Sequence, residues 1–184
     1  MKKVLSTFFI PLAGVFLLAQ SPTSYHVTHT YTLGGDGGWD YVVPDPPNHR
    51  VFIARQNRVM VVDEDKGTLL GEVTGIKGAG TALAGSSGHG FATSGDDQTV
   101  IMFDAKTFKS LKRIPAAEDA DAIIYDAPSD RVFTFNGDAH SSTVIDSSGN
   151  PVTNIPLGGK PEYGVSRFLE TMMRPAEEPK SIAA

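Results

Sequence analysis

Short apolar runs alternate with polar turns along most of this chain, and one such pattern occurs three times. Arg50-Val-Phe-Ile-Ala-Arg-Gln-Asn-Arg-Val-Met-Val-Val-Asp63 holds two β-rich runs joined at the polar pair Gln56-Asn57. The stretches from His89 to Asp104 and from Arg131 to Asp146 repeat it, and the closing aspartates Asp63, Asp104 and Asp146 fall 41 and 42 residues apart. β-Branched and aromatic residues in short runs, bounded by Gly, Asn, Asp and Pro, predict strands. A period of this length filled with short strands predicts propeller blades.

Turn residues divide each repeat into four strands. The first repeat predicts strands at Asp40–Val43, Val51–Ala54, Val59–Val62 and Thr68–Val73. The second predicts Thr81–Ala84, Gly90–Thr93, Thr99–Phe103 and Phe108–Ile114, and the third Ala122–Tyr125, Val132–Phe135, Ser142–Ile145 and Pro151–Leu157. Blades therefore cover about 40–75, 81–115 and 121–158, and a fourth starts at about 161 with Glu162-Tyr-Gly-Val165. The inner-strand starts Asp40, Thr81, Asp121 and Glu162 are spaced 41, 40 and 41 apart, a second landmark with the same period.

The alternation in Tyr25–Leu33 predicts a flanking strand, and residues 167–184 read as a helical or disordered tail outside the repeats. The fold class is all-β: a partial β-propeller of three four-stranded blades plus flanking strands. A closed propeller takes about four or more blades. The pattern thus reads as a truncated form of a longer propeller, or as one whose ring a second copy completes. Open blade edges then offer a route to self-association.

Met1-Lys-Lys3 followed by the almost wholly apolar Val4–Ala19 has the layout of a signal peptide over residues 1–20, which predicts a periplasmic or secreted protein. The 19 glycines and 12 prolines suit many tight turns. A net charge of −5 with scattered basic residues excludes a nucleic-acid partner, since phosphate binding needs a basic stripe. The absence of cysteine excludes disulfides, thiolate metal sites and cysteine nucleophiles.

With its leader and its Arg/His-Val/Gly-Phe runs, each followed by a strand that closes on Asp, the chain resembles the YVTN-type β-propeller repeat proteins of bacteria. The resemblance covers about residues 25–166. It implies a complete ring of usually about seven blades. Relatives on that scaffold include lactonase-like propellers and dehydrogenase subunits, but kinship of fold does not carry a reaction across.

A propeller presents its inner-strand starts and its second-to-third-strand loops on one axial face. That face is expected to hold Trp39, Asp40, Asp121 and Glu162 from the inner positions, with Arg55 and His140 beside the loops. Trp39, the single tryptophan, is the first choice as a binding anchor. Grouped carboxylates suit a divalent cation or acid–base work, or else bond to turn amides. Asp63, Asp104 and Asp146 read as turn-capping residues, and His49 and His89 as turn residues ahead of a second strand. His140 beside Ser141 and Ser142 lacks an orienting acid at fixed spacing. No metal ligand set, cofactor or catalytic residue is assigned. The expected function is a non-catalytic scaffold that binds a protein or small molecule of unknown identity. The alternative is a fragment of a lactonase- or dehydrogenase-like enzyme with an axial acidic site.

Overall fold

The computed structural model describes residues 25–78 and 80–166. The expected leader and the tail after 166 lie outside the described residues. Two units divide the chain, residues 1–30 and residues 31–184. The described part of the first, residues 25–30, holds no strand.

The described residues of the second unit form twelve strands. The first blade comprises β1 (Trp39–Asp45), β2 (Arg50–Arg55), β3 (Arg58–Asp63) and β4 (Leu69–Thr74). The second comprises β5 (Thr81–Ala84), β6 (His89–Ser94), β7 (Thr99–Asp104) and β8 (Ser110–Pro115). The third comprises β9 (Ala120–Asp126), β10 (Arg131–Asn136), β11 (Ser141–Asp146) and β12 (Pro151–Pro156). Each sheet is antiparallel with its strands in chain order. Three four-stranded propeller blades are the result.

Period-two alternation gives each blade two faces, and successive blades bury them against one another. Phe52, Ala54, Val59, Val61 and Val73 of blade 1 pack on Ala92, Ile101 and Phe103 of blade 2. Ala82, Phe91, Val100, Met102 and Ile114 on the other face of blade 2 pack on Ile123, Val132 and Ile145 of blade 3. The innermost strands β1, β5 and β9 therefore line up side by side.

Turn chemistry repeats with the strands. Asp63 Oδ1 accepts from the amides of Asp65 and Lys66, Asp104 Oδ1 from Lys106 and Thr107, and Asp146 Oδ1 from Ser148 and Asn150. These amide bonds hold all three carboxyls below the usual carboxylate range. The stability they contribute is present above the unfolded value and lost as pH falls through the lowered folded one. His49 is a turn residue, left-handed at φ 49, as is Asp130 at φ 53 in blade 3. His89 is not: it opens β6, Gly88 takes the left-handed position, and the His89 ring bonds the Ser147 carbonyl through Nδ1. Its register partners are Arg50 and Arg131, one position beyond the turn.

The flanking strands do not form. A strand needs a ladder partner for its amides, and no described strand pairs with Tyr25–Leu33 or Glu162–Val165. Tyr25 and Val27 are 96% and 81% exposed, so the expected half-buried face is not buried. Tyr31 instead donates its hydroxyl to the Asp65 carbonyl in the β3–β4 turn. Residues 161–166 lie along blade 3, where Gly164 sits so close on the Phe135 ring that a Cβ there would overlap it.

Candidate functional site

β1, β5 and β9 all start at one end of the blades, the end that also carries the β2–β3, β6–β7 and β10–β11 loops. Three carboxylates gather there, from Asp40, Asp121 and Glu162, as the spacing of the inner strands implies. Their fields act on common neighbours. Burial, then the charges of Asp121, Asp40 and Glu162, push the Tyr41 phenol up. Burial, then the charges of Asp40, Asp119 and Glu162, push the Asp121 carboxyl up, against a weaker opposing pull from Lys160. None of the Asp40, Asp121 and Glu162 side chains has a hydrogen-bond or ion-pair partner among the described residues. Lys160 is already engaged, at 2.9 Å from Asp138 and 3.4 Å from Asp119.

Below this mouth runs a groove of about 370 Å³ lined by Val43 of β1, Thr81, Ala82 and Leu83 of β5, Ile123, Ile124 and Tyr125 of β9, and Gly164–Ser166. Its walls are mainly apolar, because inward positions of the inner strands carry aliphatic side chains. Thr81 pairs with Ala92 as Val42 pairs with Ile53 and Ile123 with Thr134, so it stands where the other blades carry Val42 and Ile123, and its hydroxyl is turned to the Phe91 carbonyl. The mouth is acidic and the groove behind it is greasy.

Trp39 stands at the rim, 75% exposed. Arg55 does not face the mouth. Its side chain is buried, and its guanidinium donates to the carbonyls of Gly34, Gly35, Asp36, Gly37 and Gly38. The reason is alternation: Arg55 shares the outer face of blade 1 with Ile53 and Met60, and the glycine-rich entry loop crosses that face. His140 ends the β10–β11 loop in a left-handed conformation, φ 47, with its carbonyl accepting from the Leu157 amide. That seats it toward the outer strand β12, away from the carboxylates around Tyr41.

Two clusters lie at the opposite end of the blades. His49 Nδ1 is 3.4 Å from Glu64 and 3.3 Å from Asp65, an exposed trio that links two turns of blade 1. Between blades 2 and 3, Asp130 accepts from Ser86, Tyr125 and Ser147 at 2.7, 2.8 and 2.7 Å. These three hydroxyls hold its carboxyl below the usual range. Tyr41, Lys160 and this clasp escape a reading of motifs, since partners such as Ser86 and Asp130 lie 44 residues apart.

The raised carboxyl of Asp121 has a measurable consequence. A folded pKa above the unfolded value means that ionising Asp121 costs stability, and the cost is complete once pH exceeds the folded value. Asp121→Asn is therefore expected to unfold at higher urea than the parent at pH 7, with the gap closing as pH falls through the raised folded value and gone below about 4. Urea titrations at both pH values check this, and an unchanged or lowered midpoint at pH 7 contradicts it.

Stacked four-stranded blades around an acidic axial mouth define a propeller-type repeat protein. No protein-family model matches the sequence, and no curated protein aligns with it. Among solved structures the chain is similar to Kuenenia stuttgartiensis hydrazine synthase, with 16% identity, a TM-score of 0.65, and coverage of 76% of this chain and 42% of that one. It is also similar to U3-55K, with 13% identity, a TM-score of 0.55, and coverage of 67% of this chain and 40% of that one. Both contain propellers, so the likeness is one of fold. The chain spans about two-fifths of the length of these structures.

Proposed function

We propose that this chain is a YVTN-type bacterial repeat protein, exported by its N-terminal leader, that binds a ligand through its axial face without catalysing a reaction on it. The observation that carries this reading is the convergence of three unpaired carboxylates at the mouth of an apolar groove. Concave sites of this kind, mostly apolar with a few placed polar groups, are where small ligands bind. The other polar constellations are consumed structurally. The Ser86 and Ser147 hydroxyls donate to Asp130, and the His89 ring is held by a backbone carbonyl, so neither serine is paired with a histidine. The leader rests on the lysine head and apolar run of Met1–Ala19.

A small-molecule fragment screen followed by amide chemical shifts tests the site. Shifts are expected to concentrate at residues 39–43, 121–125 and 162–166. Shifts confined to the outer strands β4, β8 and β12 would reject the axial reading, and turnover of an ester or lactone abolished by Asp121→Asn would replace it with a hydrolase.

A further inference from the structure

We propose that two copies of this chain join head to tail and close a six-bladed ring, the free face of blade 3 in each copy packing on the free face of blade 1 in the other.

Register shows which faces are free. Phe52, Phe91 and Phe133 hold equivalent positions, paired across the second and third strands with Val61, Met102 and Val144. The face that carries Phe52 packs on blade 2, and the face that carries Phe91 packs on blade 3. Phe52 and Phe91 are fully buried, whereas Phe133 is partly exposed. The outer strands repeat the contrast. Val73, Ile114 and Ile155 pair with Val59, Val100 and Ser142, and their exposures are 0%, 0% and 41%. Blade 3 thus leaves open the face that blades 1 and 2 bury.

Blade 1 does the same with its opposite face. Val42, Thr81 and Ile123 are matched by their pairing with Ile53, Ala92 and Thr134. Thr81 and Ile123 face the preceding blade and are 1% and 3% exposed, but Val42 is 55% exposed. Ala92 and Thr134 are fully buried, and Ile53 is not.

The two free faces are the two halves of a contact that the chain already makes twice. Phe52 of blade 1 packs on Phe103 of blade 2, and Phe91 of blade 2 joins Val132 and Ile145 of blade 3. Burying the apolar surface left at both ends favours a third contact of this kind, made between copies. Ser142 is a separate sign. It replaces Val59 and Val100 on the open face of blade 3, and its buried hydroxyl has no hydrogen-bond partner among the described residues. A group of this kind calls for a partner from outside the blade.

The flanking segments leave both faces accessible. The entry loop is tied to the Arg55 end of blade 1 and leaves Val42 open. Residues 164–166 run beside Ile124, Phe133 and Phe135, and a cleft of about 260 Å³ remains there. Pairing blade 3 with blade 3 would leave Val42 and Ile53 bare in both copies, whereas head-to-tail closure covers both ends. Two copies then make two identical contacts about a twofold axis, and six blades fall within the range of about four to eight seen in closed propellers.

Size exclusion with light scattering on the full chain tests this, and a mass twice that of the chain is expected at micromolar concentration. Val42→Glu and Ile155→Glu are each expected to weaken the dimer at least about tenfold, since each buries a charge in an apolar contact. Leu111→Glu, on the exposed outer strand of blade 2, is expected to leave it unchanged. Both target positions are exposed in the single chain, so these variants keep their fold, which circular dichroism checks. An equimolar mixture of the two is expected to regain association, because the intact blade 3 face of one variant meets the intact blade 1 face of the other. A monomer overturns the proposal, and so does an assembly of three or more copies. A dimer broken by Ile155→Glu but not by Val42→Glu overturns it in favour of blade 3 pairing with itself. A dimer that neither variant weakens lies elsewhere on the surface and overturns it as well.

Discussion

Gly90→Val alone is expected to destabilise the protein by about 2–3 kcal/mol, and adding Phe103→Val to restore most of the loss. Gly90 is the one place where the Arg/His-Val-Phe signature breaks, with Val51 and Val132 at the equivalent positions of the other blades. The ladder shows why. Val51 pairs with Val62 and Val132 with Ile145, but Gly90 pairs with Phe103. The Phe103 ring lies directly over the glycine, so that any Cβ at position 90 would overlap it. Phe103 is fully buried between blades 1 and 2 and packs on Phe52 at a centroid distance of 6.0 Å. It cannot swing away without opening that interface. A small residue and a large one have exchanged places across the strand pair while total volume is conserved. Urea denaturation of the two single variants and the double variant measures the coupling. Purely additive losses would show that the glycine serves something other than the ring.

Arg55→Ala is the second large effect, about 2–3 kcal/mol, with loss of order in the entry loop. Five carbonyls from Gly34 to Gly38 converge on this one guanidinium, which is buried and also rests on Met60. Hydrogen bonds to a charged donor contribute more than neutral ones, and no carboxylate shares this arginine, so the loop carbonyls alone compensate its burial. Removing it leaves the loop held, among the described residues, only by Arg58 at the Asp36 carbonyl and by the Gln56 amide at Gly38. Lysine is expected to recover less than half of the loss, because three donors on one point cannot reproduce the fork. Limited proteolysis shows the local effect as new cleavage between residues 33 and 39, and urea denaturation gives the global one. An alanine variant whose loop resists protease as well as the parent would refute the assignment.

Much of the architecture was legible because turn chemistry and alternation agree in this chain. Pro, Gly, Asn and Asp punctuate runs of Val, Ile and Phe, and all twelve strands occupy the predicted runs with ends moved by one or two residues. The period matches Asp40 with Asp121, each two residues ahead of Val42 or Ile123 in the first and third blades, whereas Thr81 is offset by two positions and Glu162 belongs to no described strand. Arg55 could not be placed by period alone. It sits at a loop, but the face that its side chain takes is fixed by alternation with Ile53, and its partners lie 17 to 21 residues upstream. The flanking segments went astray for a different reason. Alternation in Tyr25–Leu33 makes a strand possible, yet a strand exists only with a neighbour, and that neighbour is not encoded in the segment. His89 shows the smallest failure, a one-residue offset hidden because Gly88 and His89 both suit a turn.

The position of Trp39 has an optical consequence. The chain has one tryptophan, and it stands 75% exposed at the axial rim instead of in either core. Its emission is therefore already that of an indole in water while the protein is folded, and unfolding changes it little. What does change it is anything that covers the rim. Native fluorescence is therefore expected to respond to whatever covers Trp39, and the integrity of the blades must be followed by the β-sheet signal in circular dichroism.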